Sequence, residues 1–362
     1  KNSDTSYELM TVPYWDWIDK QDEVVEFMNK QQENDDVKFA YPLLKDIWSD
    51  CTVYFTGREM EIIPNYNLIH RFTSFTRADQ RVFMSATTQD DSFFIKGLMV
   101  DEKAVTHPLT NASTNWSGEK MILFPTRIDT SLNSEIMREF VCKSSFISSF
   151  SRVVLVPSLW WGEDYEKRGA KVARGDLINE EINYLKKGEE LDHTVVFVNR
   201  YDGIDLADNQ CRLLVLDSLP SFGNLSDRYE LKCRTDSALI TTKIAQKIEQ
   251  GLGRSVRSEK DYSIILIVGE DLVRFIKTSS NQTFFSPQTL MQIQIGEEVS
   301  GIVKDEISKE HTALQTFCDV MKQCLNRDEG WKQFYKEGMD KISLQEDKHP
   351  LLSIINKEFK AE

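Results

Sequence analysis

Three side chains in the C-terminal half of the chain have the type and spacing that can engage phosphate. Gln250, Arg254 and Arg257 stand at i, i+4 and i+7 in QGLGRSVR, so on a helix they share a face. The arginine fork stays charged and matches phosphate oxygens in pairs. At a transferring phosphoryl group it neutralises charge that develops in the transition state. Gly251 and Gly253 interrupt the same segment. Each glycine costs a helix roughly 1 kcal/mol relative to alanine, so the pair points to a close approach or an unusual backbone. An ordinary solvated helix surface would also carry such a polar face.

The elements that must position these residues are legible around them. Ile240, Ile244, Ile248 and Leu252 recur every fourth residue and form a stripe that faces a core. The arginine face lies roughly opposite, pointing away from the sheet. The apolar runs SRVVLVPS (151–158), TVVFVNR (194–200), CRLLVLDSLP (211–220) and YSIILIVG (262–269) are continuous rather than alternating, as in strands buried on both faces. Helical patterns lie between them, in EDYEKRGAKVARGD, INEEINYLKKGEE and DSALITTKIAQKIEQGLGR. Alternation of this kind predicts an α/β fold, a parallel sheet with helices on both faces. From Lys1 to about Ala104 the pattern is mixed, His107–Lys120 is rich in Asn, Ser and Thr, and the tail from about Ser286 is mostly helical in pattern.

Further motifs stand in order along this frame. RYDGIDLADNQCRLLVLDSLP (200–220) follows a strand and places Gly203 at a tight turn, with Asp202 and Asp205 on the loop. RVFMSATTQDD (81–91) predicts a short buried strand ending in Ser85, Ala86 and Thr87, then a helix; Thr87 or Thr88 would also suit a simple helix cap. VVLVPS and MILFPTR (121–127) are further buried strands. Taken together, the segments resemble motifs III to VI of superfamily-two DNA helicases of the DEAD/DEAH type, in the XPD/DinG-like branch. The resemblance runs from about Arg81 to Leu272 and is strongest from Asn199 onward.

The resemblance implies a P-loop NTPase, RecA-like fold with a complete second lobe and the end of the first. It implies ATP and Mg²⁺ as cofactors of a helicase or translocase on single-stranded nucleic acid, DNA with RNA left open, in repair or in anti-phage defence. Gln250, Arg254 and Arg257 would be catalytic. Gly203, Asp205 and Gly253 would line the ATP, and Ser85, Ala86 and Thr87 would couple nucleotide to strand. No G-x-x-x-x-G-K-[ST] loop and no D-E-A-D or D-E-A-H box occurs in the sequence. The chain is therefore expected to begin after these elements and to be inactive alone, with residues 1–106 ending the first lobe, 107–120 a linker and 121–362 the second lobe. The upstream part of the first lobe is then a required partner. The other reading is a non-catalytic RecA-like binding or regulatory module.

For nucleic acid, Ser158 would lie at the strand end. Lys167, Arg168, Lys171 and Arg174 fall at helical spacing and would contact phosphates or simply solvate a helix. Trp160 and Trp161 would offer a stacking platform for bases or pack against the other lobe. Tyr14, Trp15 and Trp17 suit a core or an interface. The formal charge of −14 excludes a surface coated in positive charge but not a confined basic channel. The six cysteines form no C-x-x-C pair and suggest buried, reduced thiols in a cytoplasmic protein, with no metal ligand set and no iron–sulfur cluster. No run is long and apolar enough for a membrane span.

Overall fold

The computed structural model describes residues 8–35, 37–84, 92–109, 116, 118–188, 191–206, 208–258, 260–307, 311–342 and 349–361. The chain divides into two compact units. One comprises Lys1–Leu109, Phe222–Ile240 and Asp347–Glu362, the other Thr110–Ser221 and Thr241–Glu346. Residues 222–240 and 347–362, grouped with the second lobe on sequence, thus belong to the first unit.

The first unit holds an antiparallel sheet of β1 (Met10–Thr11), β2 (Cys51–Phe55) and β3 (Met60–Pro64) in that order. The β2–β3 hairpin turns on Thr56, whose hydroxyl accepts from the Arg58 and Glu59 amides. Helix α1 (Tyr14–Lys30) buries Trp17, which donates to the Trp48 carbonyl at 2.6 Å. Trp17, Tyr41, Trp48 and Val53 form a small core. Tyr14 and Trp15 instead lie exposed. The helix Leu225–Cys233 packs on the hairpin through Tyr229 against Tyr54, at 5.4 Å between ring centroids.

One expected strand is absent. Val82 and Met84 are 86% and 92% exposed, and the described residues 81–84 form no strand. A buried strand needs a neighbour to satisfy its backbone. Ser85, Ala86 and Thr87 lie outside the described residues.

The second unit is an α/β sandwich around six strands: β4 (Glu119–Leu123), β5 (Arg152–Val156), β6 (Lys171–Ala173), β7 (Val195–Val198), β8 (Leu213–Asp217) and β9 (Tyr262–Val268). Their order is β4-β9-β8-β5-β7-β6, and each neighbouring pair is parallel. Alternate residues serve opposite faces. Val154, Val156, Val215, Ile264 and Leu266 join the main core with residues of α2 (Ser134–Lys143), α3 (Leu159–Glu166) and the helices of the 287–339 stretch. On the opposite face lies Ala238–Leu252, which carries the isoleucine stripe; Ile240, Ile244 and Ile248 are all buried. A β-carbon added at Gly251 would sit 2.7 Å from Leu216 Cδ2, so this glycine answers to close packing on β8.

Two local expectations change. Helix Ala238–Leu252 stops before Arg254, so Gln250, Arg254 and Arg257 do not share one helical face. The run from Lys167 to Arg174 is a turn and edge strand β6. Gly169, at φ +95°, breaks the expected helix there.

The cysteines are free; Cys51, Cys211 and Cys324 are buried, but Cys233 is exposed. Burial pushes the Cys142 and Cys318 thiols up to about 11. Among the described residues no helix is long and apolar enough to cross a membrane.

Helix Pro287–Glu306 crosses β4 at Gly296, where an added β-carbon would sit 2.5 Å from the Ile122 carbonyl oxygen. Helix propensity alone would make Gly296→Ala stabilising by about 1 kcal/mol. The clash with backbone reverses the sign, and overpacking of this kind costs about 1–3 kcal/mol. Thermal unfolding of the variant is expected several degrees below wild type; a rise would mean that the helix can lift off the strand freely.

Candidate functional site

Two loops meet at one end of helix Ala238–Leu252. The first is Tyr201–Asp205, after β7. Gly203 takes φ +73° with open space around it, so the turn and not crowding requires glycine there. Asp202 and Asp205 are exposed, while Tyr201 and Ile204 are buried and anchor the loop. The second is the segment from Gly253 to Asp261. Gly253 lies just past the helix end without a left-handed φ.

Arg254 joins the two. Its Nε donates to the Tyr201 carbonyl at 2.8 Å and to the Gln250 carbonyl at 3.1 Å, and its Nη1 donates to the Ile204 carbonyl at 2.6 Å. Burial, and then the Arg257 charge, lower its pKa from the ordinary arginine value, opposed by Asp202 and Asp205. Arg257 is half exposed and pairs through Nε with Asp205 Oδ1 at 2.8 Å. Gln250 is half-buried at the last turn of the helix. Gly203, Asp205, Gln250, Gly253, Arg254 and Arg257 thus fall in one neighbourhood, although the arginines do not project from a helix as the spacing suggested.

A buried carboxylate fixes the far side of this neighbourhood. Asp261 is 1% exposed and accepts from the Asp208 amide at 3.0 Å, the Arg257 amide at 3.3 Å, the Tyr262 amide at 2.8 Å and the Arg212 guanidinium at 2.8 Å. It links the second loop to the turn at Asp208 and to Arg212, just before β8. The arrangement can present two guanidinium groups to an anion beside a glycine turn.

A second grouping lies at the C-terminal ends of β5 and β8, the edge where open α/β sheets place ligands. Ser158 is the residue before α3 and makes no side-chain cap bond. Trp160 is 68% exposed, and Trp161 meets it edge-on with centroids 4.7 Å apart. Beneath them sits a group without a sequence signature. Asp217, fully buried, takes two bonds from Arg138, at 2.7 and 3.1 Å, one from the Tyr165 hydroxyl at 2.8 Å and one from the Ser218 hydroxyl at 2.9 Å. Burial and then Asp217 raise the Tyr165 pKa far above the usual range, so it remains a donor. Burial disfavours the Arg138 charge, but Asp217 outweighs it and the guanidinium is held above its ordinary value.

The basic residues expected beside Trp160 and Trp161 lie elsewhere, with Lys171 level with the starts of β5 and β7, and are mostly engaged. Arg168 pairs with Asp164 at 2.5 Å, Arg174 with Glu166 at 3.1 Å, and Lys171 reaches Glu181 at 3.9 Å. Lys167 is exposed and has no ion pair among the described residues. The expected continuous basic stripe is therefore a set of local pairs.

Residues 181–285 match the family described as the helicase C-terminal domain. No curated protein matches the chain. The matched stretch contains the Tyr201–Asp205 loop, β8, helix Ala238–Leu252, both arginines and β9. Through this stretch, on a six-stranded parallel α/β sheet, the chain carries a superfamily-two helicase C-terminal domain of the XPD/DinG-like family, a helicase-type nucleic-acid-binding module.

Proposed function

We propose that the chain is the second-lobe part of an ATP-dependent helicase or translocase that acts on single-stranded DNA, in repair or in defence against foreign DNA. The single observation that carries this reading is the junction of the Tyr201–Asp205 loop with Arg254 and Arg257 inside the helicase-matched stretch. Bound ATP supplies a phosphoanhydride whose cleavage is favoured by cationic groups at the γ-phosphate. The residues present suit the phosphate end of such a ligand: Arg254 and Arg257 bring two positive charges to the mouth of a glycine turn. Gln250 stands beside them, and Gly203, Asp205 and Gly253 shape the approach. Among the described residues, no group of three or more His, Cys, Asp or Glu could hold a metal ion, so Mg²⁺ is assigned to no side chain here. The sequence lacks the glycine-rich phosphate loop, which ATP hydrolysis of this kind requires. The proposed coupling residues Ser85, Ala86 and Thr87 lie outside the described residues.

One observation favours the second reading, a non-catalytic binding module. Both arginines are already engaged within the chain, Arg254 by backbone carbonyls and Arg257 by Asp205. Catalysis requires at least one of them to exchange these partners for phosphate. Steady-state hydrolysis separates the readings. In a parent protein that carries the phosphate loop, Arg254→Ala should lower DNA-stimulated ATP turnover by about 10³-fold or more while ATP binding stays largely intact. Unchanged turnover, or a wild type that DNA does not stimulate, favours the binding module.

Ser158, Trp160, Lys167, Lys171 and Arg174 are the residues proposed to meet DNA, which would be read through its backbone and not through base identity; Ser158 and Trp160 lie at the C-terminal end of the sheet and Lys171 at the start of β6. Lys167 carries the charge least compensated by neighbours. Affinity for an oligothymidylate measured against salt should therefore lose about 0.7 of its logarithmic slope in Lys167→Ala, the value for one released counterion on a single strand. An unchanged slope would remove Lys167 from the interface.

A further inference from the structure

We propose that Arg138 is a positioning residue for single-stranded nucleic acid: pinned by Asp217, it sets the orientation of Trp161 and, through it, of Trp160, on which a base stacks. This rests on the nucleic-acid reading above.

The geometry fixes the guanidinium in every direction. Nε and Nη2 bond the two oxygens of fully buried Asp217, and Nη1 bonds Asp164 at 3.1 Å. Its Cζ lies over the Trp161 ring, 4.5 Å from the centroid. Trp161 is half-buried against the main core. Its ring meets Trp160 at an interplanar angle of 80°, which leaves the Trp160 ring 68% exposed. Single exposed aromatics are common on protein surfaces and need no explanation. A buried ion pair under the neighbouring ring does, because desolvating two charges is costly and rarely improves stability over apolar packing. Here the pair holds a ring in place.

The charge pattern favours a base as the occupant. Helix α3 carries Glu163, Asp164 and Glu166, which would repel a phosphate backbone. Asp164 is neutralised by Arg138 and Arg168, and Glu166 by Arg174; Glu163 remains exposed. Asp217 below is neutralised by Arg138. The same arginine thus orients the aromatic pair and cancels carboxylates beneath it. Stacking on a tryptophan accepts any base, in keeping with a site that carries no base-reading groups.

The test is a double-mutant cycle on the full chain with a twenty-nucleotide oligothymidylate. Trp160→Ala should weaken binding about fivefold to a hundredfold, the range of base–aromatic stacking. Trp160→Phe, which keeps a ring, should recover most of it. Arg138→Lys keeps the charge but loses the planar fork and the paired bonds; it should weaken binding several-fold and reduce the quenching of tryptophan emission by the oligonucleotide. The double variant Trp160→Ala/Arg138→Lys should bind no more weakly than Trp160→Ala alone. Additive losses would show that Arg138 acts through charge or fold and would overturn the proposal. Wild-type affinity in Trp160→Ala would overturn it while leaving the nucleic-acid reading intact, whereas a wild type that binds no oligonucleotide removes both. Should Arg138→Lys not fold, Trp161→Phe is expected to retain binding that Trp161→Ala loses, and equal binding by these two would equally overturn the proposal.

Discussion

The site depends on one buried carboxylate. Asp261 gathers the amides of Asp208, Arg257 and Tyr262 and the guanidinium of Arg212. An ionised group in an apolar interior is tolerated only when its lone pairs are filled. The requirement works in both directions: the carboxylate's lone pairs are filled because the donors converge, and the donors converge because it is there. They come from the turn at Asp208, the second loop and its junction with β9, and Arg212, the residue before β8. The segment carrying the arginines is therefore fastened to the sheet at its C-terminal end, as helix Ala238–Leu252 fastens it at the other.

Much of this frame was legible in the sequence, for identifiable reasons. The runs that became β5, β7, β8 and β9 are short, apolar and continuous, as strands buried on both faces are. The loop at Gly203 was marked by glycine between aspartates, and the structure gives that glycine a left-handed φ. The misses were also physical. The β2–β3 hairpin was hidden in a mixed region, although Thr56-Gly57 between two apolar runs was a turn signal. Strand β6 is three residues long, too short for periodicity to register. The i, i+4, i+7 spacing of Gln250, Arg254 and Arg257 continued in number past the point where the helix ends.

The Arg138–Asp217 pair was out of reach for a different reason. Its members are 79 residues apart, and nothing in the segment that contains Asp217 points to Arg138 as its partner. Trp160 could be picked out as an aromatic beside a strand end, suited to stacking or to packing; what holds its neighbour could not. The basic residues after it show the converse limit. Their spacing was visible, but their carboxylate partners come from other elements and cancel most of the charge locally.

Arg254 spends its hydrogen bonds on main-chain oxygens, and this has a thermodynamic meaning. Tyr201 and Ile204 contribute carbonyls, not side chains, so the guanidinium senses the shape of the loop whatever residues occupy it. Anything that draws the arginine away leaves those oxygens to find new donors, and anything that reshapes the loop loosens the arginine. Linkage makes this symmetric. A ligand seated on the loop and an anion held by the guanidinium must alter each other's affinity by the same factor. The sign depends on whether one loop conformation serves both.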